Sequence, residues 1–144
     1  MLAVRRLTES QLWSKLERKG YDDDAIRAAV DACKRAGFVD DALFAELYVH
    51  AKQKPLGDSR LVAELVGLGI DRDVAQRKVA EHDVAQDARA QAALAKLMRT
   101  KPSVSYPSAA RALERNGFPA ALIYRILREH AATYGPLSTL TEEG

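Results

Sequence analysis

The feature that most limits what this chain can fold into is a helix stop that recurs at nearly constant spacing. Superposing LWSKLERKGYDDDAI, LVAELVGLGIDRDVA and AARALERNGFPAALI aligns Gly20 with Gly69 and Gly117, at separations of 49 and 48 residues. In each copy a stripe of leucines or other apolar residues leads to a glycine. An apolar or aromatic residue follows it, and helix-starting residues come next. Glycine takes the left-handed conformation that ends a helix without a Cβ penalty, and the apolar residue after it folds back on the last turn. Such a unit covers its apolar face only with a neighbour, so the spacing predicts a tandem helical array.

The stretch AGFVDDALFAELYVHAKQKPLGDSRLVAELVGLGI, from Ala36 to Ile70, joins the first two copies and shows the same punctuation. Gly37 and Phe38 read as a stop, Asp40 and Asp41 as a start, since carboxylates accept from free amides and oppose the helix dipole. Phe44, Leu47 and Tyr48 lie at helical spacing and predict the buried stripe of the next helix. Pro55 and Gly57 end it, and Asp58 or Ser59 caps the helix that carries Leu61 and Leu65.

Applied to the whole chain, this grammar predicts about eight helices and no strand. Thr8 and Gln11 have capping-box spacing and open a helix that turns Leu12 and Leu16 inward. Asp22, Asp23 and Asp24 open the second, with Ile26, Val30 and Cys33 on one face. The third runs from Asp41 to Lys54, the fourth from about Ser59 to Leu68, and the fifth from Arg72 to His82 with Val74 and Val79 inside. An alanine-rich sixth spans about Val84 to Arg99 and carries Ala88, Ala92, Leu94, Leu97 and Met98. Lys101 to Pro107 reads as a linker and Ser108 as a restart. Pro119 opens the eighth helix at a position where its missing amide costs nothing. The expected fold is all-α, an elongated, curved array of tandem three-helix repeats whose third copy lacks its third helix. The expected boundaries are residues 1–57, 58–106 and 107–132, with a mobile tail at 133–144.

Composition narrows the function classes. Among 144 residues, 22 are basic and 20 acidic, a formal charge of +2 that does not announce nucleic-acid binding. The distribution is uneven: Met1 to Asp87 holds 14 basic and 16 acidic residues, whereas Ala88 to His130 holds 8 and 2. Arg89, Lys96, Arg99, Lys101, Arg111 and Arg115 therefore form a candidate positive band near nucleic acid. Lys52, Lys54 and Arg60 flank the Pro55 to Asp58 connector, and with Glu64 they are candidate contacts to a partner. His50, His82 and His130 lie on separate helices without ligand spacing, so neither a metal site nor a cofactor is expected. Cys33 reads as a buried small hydrophobe. No P-loop, GxGxxG or GxSxG motif occurs, which argues against an enzyme. Met1 to Leu7 is too short for a secretory signal, and no apolar run has the length of a membrane span. A cytoplasmic chain is expected, with no membrane association.

The run GFVDDALFAELYV resembles the GYxDDxxFAxxYV signature of the RecX regulatory proteins, and LVAELVGLGI resembles their LxxELxxKGI segment. LAVRRLTESQLWSKLERKGY and ALERNGFPAALIYRIL are similar to that family's opening and closing segments. The resemblance implies a non-catalytic protein that binds the RecA recombinase. It would lie in the groove of the nucleoprotein filament and restrain ATP hydrolysis and strand exchange, acting in homologous recombination, DNA repair and the SOS response. It also implies a monomer that meets DNA mainly as part of the filament. The connector's charge, Lys52, Lys54 and Arg60 against Asp58, is thin, which favours a protein-filament partner over bare DNA. The alternative is a standalone helical DNA-binding protein.

Overall fold

The computed structural model describes residues 6–135. The expected 133–144 tail largely lies outside them. Eight α-helices occur among the described residues: α1 (Glu9–Arg18), α2 (Asp23–Arg35), α3 (Asp41–Ala51), α4 (Asp58–Gly67), α5 (Arg72–Ala80), α6 (Gln86–Thr100), α7 (Tyr106–Arg115) and α8 (Ala120–Tyr134). The fold is an all-α helical repeat.

Local chemistry explains where these helices begin. Thr8 and Gln11 form both halves of a capping box, Asp22 accepts from the Ala25 amide at 2.8 Å, and Asp40 accepts from Leu43 at 3.0 Å. Two starts differ from expectation. The linker before α7 is shorter, because Ser105 caps the helix and Tyr106 and Pro107 enter its first turn, where no amide is needed. Pro119 stands as the N-cap of α8, one place outside the helix.

The buried faces differ more. In α3 the buried residues are Ala45 and Val49, while Leu47 is 44% exposed and Phe44 and Tyr48 are half-buried. The small residues face inward because α3 packs closely on α5, and the aromatic rings stack on each other at 6.3 Å beside that contact. In α6, Ala90, Ala93 and Leu94 are buried, whereas Ala88 and Ala92 are exposed. Cys33 is half-buried and lines a cleft with Leu12, Phe38 and Val39.

Contacts divide the chain into two compact units. The first comprises Met1–Ala51 and Val62–Glu81, and the second Lys52–Leu61 and His82–Gly144. In the first, α1 packs on α2 and α3 on α5, around Ile26, Val30, Leu65 and Val79. In the second, α6, α7 and α8 pack on one another, around Leu94, Leu113, Phe118, Ile123 and Ile126.

Each unit contains one joint of the same design. In the first, the start of α1 closes on the glycine stop of the second copy: the Thr8 hydroxyl donates to the Leu68 carbonyl at 2.8 Å. A Cβ on Gly69 would overlap Ser10. In the second unit, the start of α4 closes on the glycine stop of the third copy. The Gly57 amide donates to the Asn116 carbonyl at 2.8 Å, and a Cβ on Gly117 would overlap Arg60. Gly69 and Gly117 have φ of 96° and 93°, so both backbone conformation and close approach require glycine there. The aromatic or aliphatic residue after each of these two glycines is sealed, Ile70 at 2% exposure and Phe118 at 3%.

Candidate partner-binding surface

The connector expected as a loop is strapped to its unit. Leu56 and Gly57 are buried. The Asp58 amide donates to Gln86 Oε1 at 2.8 Å. Arg89, expected in the positive band, is the main strap and only 5% exposed. Its Nη1 donates to the Leu56 carbonyl at 2.7 Å, its Nη2 to Asp58 Oδ1 at 2.7 Å and its Nε to the Val84 carbonyl at 2.9 Å. A guanidinium so occupied is a structural cation, not a phosphate contact, and Arg89 leaves the candidate surface.

Two of the expected partner contacts also bond within the fold. Arg60 Nη1 donates to the Arg115 carbonyl at 2.8 Å, at the C-terminal end of α7 where the dipole favours a cation. Glu64 accepts from the Tyr48 hydroxyl at 2.6 Å. Lys52 is half-buried and Lys54 exposed.

Of the remaining basic residues, Lys96 and Arg99 are exposed on α6. Lys101, Arg111 and Arg115 come together along a groove of about 580 Å³ between the end of α6 and the face of α7. Ser103, Ser105 and Ser108 supply hydroxyls, and among the described residues no carboxylate lines the groove. The Arg111 guanidinium donates to Ser108 Oγ at 3.2 Å. Three cations with no described carboxylate in the lining, beside hydroxyl donors, suit an anionic backbone or an acidic protein surface.

The sequence reading passed over two arginines on α8. The Arg128 guanidinium lies 4.9 Å from the centre of the exposed Tyr124 ring. Arg125 pairs with Asp87 at 3.1 Å, and Asp87 chiefly raises its pKa above the ordinary value. The i, i+4 spacing of Tyr124 and Arg128 was the available signal, since such pairs stack on one helical face. In the first unit, Asp41 accepts from the Glu9 amide at 2.9 Å. Its pKa is raised because burial outweighs that bond.

His82 accepts from the Val84 amide at 3.0 Å, and His130 Nδ1 lies 3.1 Å from the Tyr106 hydroxyl. Among the described residues, no group of three or more His, Cys, Asp or Glu is placed to hold a metal ion. No described helix is long and apolar enough to cross a membrane.

Comparison with known proteins gives one answer at every level. The family model for RecX, first three-helix domain, matches residues 1–33, and that for RecX, second three-helix domain, matches residues 40–79. The regulatory protein RecX of Amycolatopsis mediterranei is 35% identical over 150 residues, covering 99% of this chain and 86% of the relative. That of Thermobifida fusca is 33% identical over 138 residues, covering 89% and 73%. The fold matches the crystal structure of RecX from Lactobacillus salivarius with a TM-score of 0.76 at 20% identity, over 87% of this chain and 86% of that one. With its glycine-stopped helical repeats and this similarity along nearly its whole length, the chain belongs to the RecX family of regulatory proteins.

Proposed function

We propose that this chain binds the RecA recombinase and its nucleoprotein filament, mainly inhibiting ATP hydrolysis and strand exchange in homologous recombination and DNA repair. The observation that carries this reading is the near full-length similarity to proteins named regulatory protein RecX. The carboxylate-free groove of Lys101, Arg111 and Arg115 supports it, because a filament presents DNA phosphates beside protein. Lys52 and Lys54 on the strapped connector are the further contacts. Lys96 and Arg99 extend the positive surface of α6, while Arg60 and Glu64 hold the connector and the α3–α4 contact in place. The chain acts in the cytoplasm without a cofactor or catalysis of its own.

The deciding experiment adds the protein to recombinase assembled on single-stranded DNA and measures ATP hydrolysis, with binding followed in parallel. Hydrolysis falls as the protein binds. Arg111→Glu with Arg115→Glu, or Lys52→Glu with Lys54→Glu, weakens the effect while helicity stays unchanged. Demonstrated binding to filaments at an unchanged hydrolysis rate overturns the reading. Tight binding to naked DNA with a steep salt dependence, and none to recombinase, favours a standalone DNA-binding protein.

A further inference from the structure

The two joints share a register. Aligning Gly20 with Gly69 places Thr8 on Gly57, and aligning Gly69 with Gly117 places Leu68 on Asn116. The pairs Thr8–Leu68 and Gly57–Asn116 therefore join equivalent positions in two different units, through a side-chain hydroxyl in the first and a backbone amide in the second. In each, the residue that opens the first helix of one copy donates to the carbonyl just before the glycine of the next copy.

Among the described residues, that rule leaves two halves without a mate. The first is the stop of the first copy. Gly20 has φ of 95°, a Cβ built there meets nothing within 4 Å, and Tyr21 is 56% exposed where Ile70 and Phe118 are sealed. The second is the start of the third copy. The residue equivalent to Thr8 and Gly57 is Ser105, which is 9% exposed. Its Oγ accepts from the Ser108 amide at 3.2 Å, as Thr8 accepts from Gln11. Among the described residues its hydroxyl proton has no acceptor, whereas that of Thr8 reaches Leu68. A buried hydroxyl retains an unused donor at a cost, so a carbonyl belongs opposite it.

The surroundings agree. Leu7, Gln11, Ser14, Lys15 and Arg18 line the groove that holds Gly69 in the first unit. Their equivalents Val104, Ser108, Arg111, Ala112 and Arg115 all line the groove on α7. The first groove contains a glycine stop, and the lining of the second contains none.

We propose that the α7 groove is an unfilled copy of this joint and receives the Lys19–Gly20–Tyr21 turn of a second copy of the chain. Ser105 then donates to the Lys19 carbonyl, and Tyr21 is covered as Ile70 and Phe118 are. Charge favours the pairing: the α7 groove carries Lys101, Arg111 and Arg115, and the turn is followed by Asp22, Asp23 and Asp24. The interface is heterologous, head to tail, so association is open-ended and does not stop at a dimer. The inference needs only the chain itself, but it places a second copy in the groove that the recombinase reading gives to the filament, so the two occupants compete for one site.

Sedimentation of the full chain from micromolar to millimolar concentration tests it. The average mass rises with concentration and falls with added salt. Asp23→Arg with Asp24→Arg blocks the head, and Arg111→Glu with Arg115→Glu blocks the tail. Each variant alone associates at least tenfold more weakly, and a mixture recovers association because both mixed joints are again charge-complementary. Tyr21→Ala, at an exposed site, supplies an independent weakened head should the aspartate variant fail to fold. A monomer mass throughout the range overturns the proposal. So does a dimer that stops growing and is not rescued by mixing, or occupation of the α7 groove by recombinase with no self-association.

Discussion

Replacing Arg89 with alanine separates a structural cation from a phosphate-binding one. The substitution removes three hydrogen bonds, to the Leu56 and Val84 carbonyls and the Asp58 carboxylate. Bonds from a charged donor contribute about 1.5 to 3 kcal/mol each when buried. Two of the three are worth less here: Val84 is exposed, and the Asp58 side chain is 43% exposed, so both acceptors regain water. The Leu56 carbonyl, on a buried residue, keeps most of its cost, and the lost arginine stem adds apolar contact. The expected loss is about 3 kcal/mol, a fall in melting temperature of roughly 10 °C for a chain of this size. Arg89→Met restores the stem without the bonds, so it recovers less than half of the loss. Hydrogen exchange at the Gly57 amide, which donates to Asn116, reports whether the connector has come loose. A melting temperature within about 2 °C of the unchanged protein, with Gly57 still protected, would refute the strap.

Gly57→Ala pushes a methyl group into the Gly117 carbonyl and should cost about 2 kcal/mol or more, read by denaturant unfolding. Leu65→Ala, at a fully buried site, should cost about 2 to 5 kcal/mol, and Leu47→Ala, on the same sequence pattern but exposed, under about 0.5 kcal/mol. Equal losses would place Leu47 in the core. The raised pKa of Asp41 means that its ionised form is disfavoured by folding. Its stabilising contribution is therefore complete below the ordinary value of 3.8 and is lost as pH rises through the higher folded value. Asp41→Asn, which can still accept from the Glu9 amide, should be at least as stable at neutral pH, with the advantage disappearing in acid. A clear loss of stability at pH 7 would show that the carboxylate's charge is needed.

What the sequence determined by itself were the helices and their ends, because capping is settled within three or four residues. Thr8 finds Gln11, Asp22 finds Ala25, and a glycine in the left-handed conformation stops its helix whatever surrounds it. Family membership was legible for the same reason, since the signature runs follow those starts and stops. Tertiary structure alone decided which face of each helix is covered. Phe44 and Leu47 have the right spacing for a core stripe, yet α5 meets Ala45 and Val49, where small side chains allow close approach. Arg89, Arg111 and Arg115 look alike as basic residues in one band. One became internal because the connector's carbonyls needed a donor, and two stayed in a groove. Tyr21, Ile70 and Phe118 follow equivalent glycines, and their exposure differs because a helix start closes over the last two and, among the described residues, none over the first. Each of these outcomes depends on a residue dozens of positions away, and periodicity carries no record of that partner.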